Sequence, residues 1–307
     1  MDYFQLKTPV AFLVFNRPDT SIKVFEEIRL VRPPKLFVVA DGPRTNKPGE
    51  LEKCLAVRAI IDTVDWPCEV LKNYSDVNLG CKTRVSSGID WVFSQVEQAI
   101  ILEDDCLPHL TFFQFCEELL EKYNNDQRVM HIGGSNFQDG KVHGDGSYYF
   151  SRFSHIWGWA TWRRAWSHYD VKMKDFPIFR DQNQIQNIFP EKSMHAEWIN
   201  KLQTVYDGEL DTWDLQWLYT VWSKNGLAII PNANVVSNIG FGENATHTTM
   251  ESELANKELF SIDKIIHPSF ELPCTIADNY TVKSHFSARL SKRILGKVNR
   301  IIKRVIA

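Results

Sequence analysis

The chain has no glycine-rich phosphate loop: neither GxGxxG nor GxxxxGK occurs in its 307 residues. A backbone-amide cradle of that type for phosphate is therefore excluded. Cysteine is sparse, at six residues (Cys54, Cys68, Cys81, Cys106, Cys116 and Cys274) without a CxxC or any metal-ligand spacing. That excludes a zinc ribbon or a disulfide framework and reads as reduced thiols in a cytoplasmic protein. Long apolar runs are missing too. Val10 to Phe15 is far shorter than the ~20 residues of a membrane span, and Met1 to Thr8 lacks a basic leader, so neither signal peptide nor transmembrane helix is expected. Acids are absent from Thr281 to Ala307, where eight Lys or Arg lie; removing those charges from the net −3 leaves −11 on the first 280 residues.

At 44% hydrophobic content the chain can bury a full core. Apolar runs at Val10–Phe15, Leu36–Ala40, Ala99–Leu102 and Val129–Gly133 read as strands, with a shorter one at Glu69–Leu71. Between them the pattern predicts helices from Asp19 or Thr20 to about Leu30, from about Glu50 to Val64, after Cys81, and from Leu110 to Tyr123. The helix after Cys81 spaces Val85, Ile89, Val92, Phe93 and Val96 at the helical period. Such alternation predicts an α/β fold, a mostly parallel sheet flanked by helices.

Ala99-Ile100-Ile101-Leu102-Glu103-Asp104-Asp105 is the stretch with most chemistry: a buried strand running into three consecutive carboxylates. Ligands collect at the carboxyl ends of strands in open α/β sheets. Three acids there repel one another unless a cation joins them, and oxygen-rich clusters hold Mg²⁺ or Mn²⁺ with substrate phosphates completing the shell. Leu36–Ala40 also ends in an acid, Asp41, on the same edge. Arg17, Arg44 and Arg84 lie beside strand ends and are candidates for phosphate.

Eight of the ten tryptophans lie between Trp157 and Trp222. Indole faces either fill a core or stack on sugar rings. Asp214, between Trp213 and Trp217, suits either a helix cap or a general base. Strands are expected at Leu227–Ile230 and Ala233–Val236, followed by a glycine-containing loop with His247, which reads as a surface residue or as an imidazole reaching a metal or phosphate. Phe286, Leu290, Ile294, Val298, Ile301, Ile302 and Val305 share one helical face amid basic residues, the pattern of a helix lying on an anionic membrane.

Taken in order, Asn78-Leu79-Gly80, Glu103-Asp104-Asp105, Phe112-Phe113, Gly133-Gly134-Ser135-Asn136, Gly158-Trp159, Trp213-Asp214, Ile229-Ile230-Pro231 and Gly240-Phe241-Gly242 resemble the GT-A glycosyltransferases. The likeness is to the N-acetylglucosaminyltransferase I group and its bacterial relatives, over about Thr8 to His247. The resemblance implies an inverting, Mn²⁺- or Mg²⁺-dependent transfer from a nucleotide-diphosphate sugar, a UDP-sugar by preference, to a surface-glycan or lipid-linked acceptor. It implies Asp105 as the metal carboxylate; His247, in its reading as an imidazole reaching the metal, would be a further ligand. Phe15, Asn16, Arg17, Asp41, Arg84, Glu103 and Asp104 would bind the nucleotide sugar, and Trp157, Trp159, Trp213 and Trp217 the acceptor. Asp214 resembles the catalytic base. The family has two adjacent acids there, whereas Leu215 follows Asp214 here, so Asp211 is the alternative.

The expected organisation is a nucleotide-sugar half over residues 1–150 and an acceptor and catalytic half over 151–250. A packing segment (251–280) and a basic membrane helix (281–307) follow. That arrangement predicts a cytoplasmic enzyme attached to the inner membrane face through residues 284–305, with no nucleic-acid partner. The rival readings are a nucleotide-sugar nucleotidyltransferase and a non-catalytic, membrane-associated glycan-binding protein.

Overall fold

A computed structural model describes residues 4–189, 191–241 and 254–286. Strand β1 (Val10–Val14) leads through Arg17 into α1 (Pro18–Val31), and β2 (Lys35–Ala40) into α2 (Glu50–Ile61). Next come β3 (Glu69–Tyr74), α3 (Cys81–Phe93), β4 (Gln98–Glu103), the short β5 (Cys106–Pro108) and α4 (Leu110–Lys122). The chain continues with β6 (Val129–Gly133), β7 (Tyr148–Ser151), β8 (Trp159–Trp162), α5 (Arg163–Trp166), α6 (Phe176–Asp181) and α7 (Lys192–Tyr206). It ends in α8 (Asp214–Ser223), β9 (Leu227–Pro231), β10 (Val236–Asn238) and α9 (Thr275–Thr281), followed by a π-helical turn, Val282–Phe286.

Eight strands form one sheet in the order β3-β2-β1-β4-β8-β6-β9-β7. β1 runs parallel to β2 and β4, β2 to β3, and β6 to β9; β8 is antiparallel to both β4 and β6, and β7 is antiparallel to β9. Six strands thus point one way and two the other, giving the mostly parallel α/β sheet expected. Helices α1, α2 and α4 pack on one face through Phe25, Ile28, Val57, Phe113 and Leu119. On the other face α3, α5 and α8 pack through Ile89, Val92, Trp166, Trp217 and Val221. β4 is buried on both sides: Ile100 and Leu102 enter the first core and Ala99 and Ile101 the second. Each such aliphatic side chain contributes roughly 1.5–3 kcal/mol on burial, which holds the strand and the acids at its end in register.

β8 inserts between β4 and β6, so the parts of the chain before and after residue 150 share one sheet. Several expectations shift locally. Arg17, not Asp19 or Thr20, is the N-cap residue of α1, with Pro18 at its first position and no side-chain cap. α2 stops at Ile61. The strand expected at Ala233–Val236 lies instead at Val236–Asn238, because Asn234 turns the chain by accepting Asn136 N–H (2.9 Å) and donating to the Glu258 carbonyl (3.1 Å). No helix among the described residues is long and apolar enough to cross a membrane. His247, most of the basic segment beyond Phe286 and the loop after Phe241 lie outside the described residues.

Candidate active site

The carboxyl ends of β1, β2 and β4 open into a cleft of about 570 Å³. The sheet forms its floor, α3 and the segment before α8 one wall, and the β5–β10 ribbon another. It is lined by six carboxylates (Asp41, Glu103, Asp104, Asp105, Asp211, Asp214) and three guanidinium groups (Arg17, Arg44, Arg84). Two of those cations are already engaged: Arg44 pairs with Glu50 at 2.5 Å, and Arg84 donates to the Asn73 carbonyl at 2.5 Å. The field in the cleft therefore favours a cation.

The turn after β4 is held from several sides. Asp104 Oδ2 accepts the Phe15 N–H at 3.0 Å. Arg17 donates to Asp105 Oδ2, and its Nη1 is 3.8 Å from Asp104 Oδ1. From β10 the Ile239 N–H reaches the Asp105 carbonyl at 2.8 Å, and Gly240 lies so near that a Cβ there would overlap Asp105 Oδ2. Glu103 Oε1 is buried and has no hydrogen-bond partner among the described residues. Burial, then the charges of Asp105, Asp104 and Asp214, push the Glu103 carboxyl up to about 8. Burial and Asp105 push Asp104 up to about 7. Burial opposes the Arg17 charge, but Asp104 and Asp105 outweigh it and hold its pKa above the usual value.

Asp41 follows β2 and is buried. Its Oδ1 accepts N–H groups of Gly42 and Leu79, both at 2.9 Å, and its Oδ2 accepts Asn78 Nδ2–H at 3.0 Å. Burial raises its pKa while those donors oppose the shift. Arg84, on α3, is buried nearby, and burial lowers its pKa against the pull of Asp41. At the other end of the same short stretch, Asp211 accepts the N–H groups of Cys81 (3.0 Å) and Lys82 (3.1 Å) at the start of α3. Gly80 adopts φ +78°, and a Cβ there would come within 2.8 Å of Asp211 Oδ2. Glycine allows both the left-handed backbone and the close approach. Residues 78–82 are thus slung between Asp41 and Asp211.

Asp214 opens α8. Thr212 Oγ1 donates to Asp214 Oδ1, and Gln216 Nε2 holds the Thr212 carbonyl at 2.6 Å. Trp157 lines the cleft with its ring edge-to-face against Phe241 (5.6 Å) and Phe137 (5.3 Å).

Phe15, Arg17, Asp41, Arg84, Glu103, Asp104, Asp105, Trp157, Asp211, Trp213 and Asp214 all border this one cleft. Asn16 does not: its amide turns to Glu50 Oε1 at 2.9 Å. Trp159 and Trp217 correct the acceptor-platform expectation. Both are wholly buried, Trp159 stacked between His131 (5.1 Å) and Trp213 (5.6 Å), and Trp217 donating to His131 Nδ1 at 3.2 Å. A ring packed on its faces has none left for a sugar. Trp213, 2% exposed, borders the cleft but offers it no open face. Burial keeps His131 neutral, its pKa down at about 3. Thr212 and Asn238 also line the cleft and escaped notice in the sequence. Thr212 sits two residues before Asp214, the offset of a local side-chain bond.

The donor set is hard oxygen, which fits Mg²⁺ or Mn²⁺. Among the described residues, no three His, Cys, Asp or Glu groups converge on one metal position. Any ion here would take one or two carboxylates and complete its shell from water and ligand, the usual Mg²⁺ pattern.

No protein-family model matches the chain, and no curated protein matches it. Solved structures do. A mannosyltransferase from Pyrobaculum calidifontis in complex with GDP-Man and Mn²⁺ is 13% identical over 52% of this chain and 45% of its own, with a TM-score of 0.37. The chain thus spans less than half the length of that protein. A UDP-glucose pyrophosphorylase complexed with UDP-glucose is 8% identical over 74% and 90% (TM-score 0.36). A 4-diphosphocytidyl-2C-methyl-D-erythritol synthase from Anaerococcus prevotii is 10% identical over 73% and 88% (TM-score 0.35).

Proposed function

We propose that the protein is an inverting, metal-dependent glycosyltransferase using a nucleotide-diphosphate sugar, a UDP-sugar by preference, as the resemblance to the N-acetylglucosaminyltransferase I group implies. The observation that carries the reading is one cleft lined by acids from two separate elements: Glu103, Asp104 and Asp105 at the end of β4, and Asp214 at the start of α8. A displacement at an anomeric carbon needs charge neutralisation on the leaving-group side and a base on the other.

Asp105, with Asp104 beside it, would hold the divalent cation, whose chemistry when bound is to neutralise charge on the departing diphosphate. Arg17 stands next to both acids and adds a second positive group on that side. Asp41 and Phe15 border the nucleoside end. Asp214 takes the proton of the acceptor hydroxyl, with Thr212 fixing which carboxylate oxygen faces the cleft, while Asp211, committed to the start of α3, positions rather than reacts. Trp157 is the ring available to an acceptor sugar. The acceptor is a bacterial surface glycan or its lipid-linked precursor, and the enzyme works on the inner membrane face.

Calorimetric titration of UDP, GDP and dTDP, each with and without Mn²⁺, tests this directly. One nucleotide should bind, and only with metal. If none binds in either condition, the donor site is misassigned.

A further inference from the structure

Residues 264–274 run along the outer side of β7 as a strap. The Ile266 carbonyl accepts the Ser147 N–H (2.7 Å), and Cys274 N–H donates to the Phe150 carbonyl (2.7 Å). The strap and the start of α9 display large apolar side chains that the fold does not use: Phe270 is 76% exposed, Leu272 71% and Ile276 75%, with Ile266 at 50%. Val142, 69% exposed, joins them from the neighbouring loop. That loop is bound to the strap through Asp145, which accepts the N–H (3.1 Å) and Oγ–H (2.5 Å) of Ser269. It is also bound to α9 through Lys141, 3.8 Å over the Tyr280 ring. Isolated exposed hydrophobics are ordinary; five on a strap, a helix and a loop that are bonded to one another make a candidate interaction surface.

Charge selects the partner. Two acids in this region are neutralised by cations: Glu271 by Arg128 at 2.5 Å, and Asp139 by Lys257 at 2.7 Å. The helical period carries the face of Ile276 and Tyr280 on to Lys283, 64% exposed and 3.8 Å from Glu191. Beyond Phe286 the sequence adds seven Lys or Arg and no acid. An apolar face continuous in the chain with a basic segment matches an anionic lipid surface, which offers acyl chains to the one and negative headgroups to the other.

We propose that the strap and α9 seat the protein on an anionic membrane, with Phe270, Leu272 and Ile276 entering the acyl boundary. This rests on the membrane-attachment part of the reading above and not on the chemistry of the cleft. β7 is four strands from β4, or roughly 19 Å at the usual strand spacing, so changes at the face leave the cleft intact.

The test uses full-length protein and vesicles of phosphatidylcholine with or without phosphatidylglycerol. The combined variant Phe270→Ser, Leu272→Ser, Ile276→Ser should lower partitioning onto phosphatidylglycerol vesicles at least tenfold while leaving the far-UV circular dichroism unchanged. Should that variant misfold, Phe270→Trp decides: its added fluorescence should be quenched by brominated lipid. Undiminished partitioning of a folded triple variant, or an unquenched Trp at 270, overturns the proposal. So does wild-type dimerisation that the triple variant abolishes without any change in vesicle binding, which would make the occupant a second copy. Nucleotide titration of the same samples keeps the two readings separate: lost nucleotide binding with intact partitioning sinks the cleft assignment alone.

Discussion

Asp211 and Asp214 are three residues apart and line the same cleft, yet the structure gives them opposite consequences on removal. Asp211 accepts two N–H groups at the start of α3, at 3.0 and 3.1 Å, so Asp211→Ala strips a helix N-terminus of its acceptor. Losing such a cap costs about 0.5–2 kcal/mol, and the exposed position of Asp211 sets the expectation near the middle, at about 1–1.5 kcal/mol. For a chain of this size that lowers the melting temperature by roughly 2–6 °C. Among the described residues Asp214 accepts no backbone N–H; its carboxylate meets Thr212 and adds to the charge that raises Glu103. Asp214→Ala should therefore melt within about 1 °C of wild type, or slightly above it, as removal of a functional carboxylate from a like-charged cluster commonly does. Differential scanning fluorimetry of both variants, without ligand, makes the comparison. Equal destabilisation, or a loss confined to Asp214→Ala, would refute the division into a positioning acid and a reacting one.

Gly240→Ala forces a Cβ onto Asp105 Oδ2 beside Arg17; metal-dependent nucleotide affinity should fall at least tenfold by calorimetry, with retained affinity counting against Asp105 as the metal carboxylate. Trp159→Ala empties the aromatic core and should cost about 3–5 kcal/mol in denaturant unfolding, whereas Trp157→Ala should leave stability within about 1 kcal/mol and weaken acceptor binding alone. Asp278 is buried in α9, accepting Ser151 Oγ–H (2.6 Å) and Arg152 N–H (3.1 Å), and burial raises its pKa from 3.8 to about 6. The folded state therefore binds the proton more tightly than the unfolded one. Its contribution is fully present below the unfolded value and is lost as pH rises through about 6, a change of about 3 kcal/mol. The stability difference between wild type and Asp278→Asn, followed by urea unfolding from about pH 4 to pH 7, should fall by that order; a pH-independent difference would show that Asp278 is not buried as a neutral acid.

The alternating first half was legible because β1, β2 and β4 are built on apolar runs, the last two ended by acids, and α3 carries a clear helical period. Val10–Val14, Leu36–Ala40 and the run into Glu103 lie where the pattern put them, and so does α3. The second half was harder for physical reasons. β8 is four residues, Ala160 and Thr161 between two tryptophans, a composition that serves a sugar platform as readily as a buried strand. Only its insertion between β4 and β6 decides, and that pairing spans about 30–60 residues of sequence. β5 and β10 have three residues each and exist because they pair with one another. Asp41, Glu103, Asp104 and Asp105 were visible at strand ends, but Asp211 finds its partners 130 and 129 residues away, beyond any local pattern. Asn16 looked equivalent to its neighbour Arg17 until Glu50, from the next helix, claimed its amide.

The stretch from Asn78 to Lys82, tied at one end to Asp41 and at the other to Asp211, also bears on how this chain can change over time. Surface loops generally accept insertions at small cost, since closing a longer loop adds only about 0.6 kcal/mol per doubling. Here one added or deleted residue would leave both moorings out of step, because the spacing between Leu79 and Cys81 is what lets each reach its own carboxylate. Past Arg44, which is moored to Glu50, residues 45–49 have no side-chain tether among the described residues and should tolerate length variation. Libraries for altering what this cleft binds should therefore vary residue identity, not length, between Asn78 and Lys82.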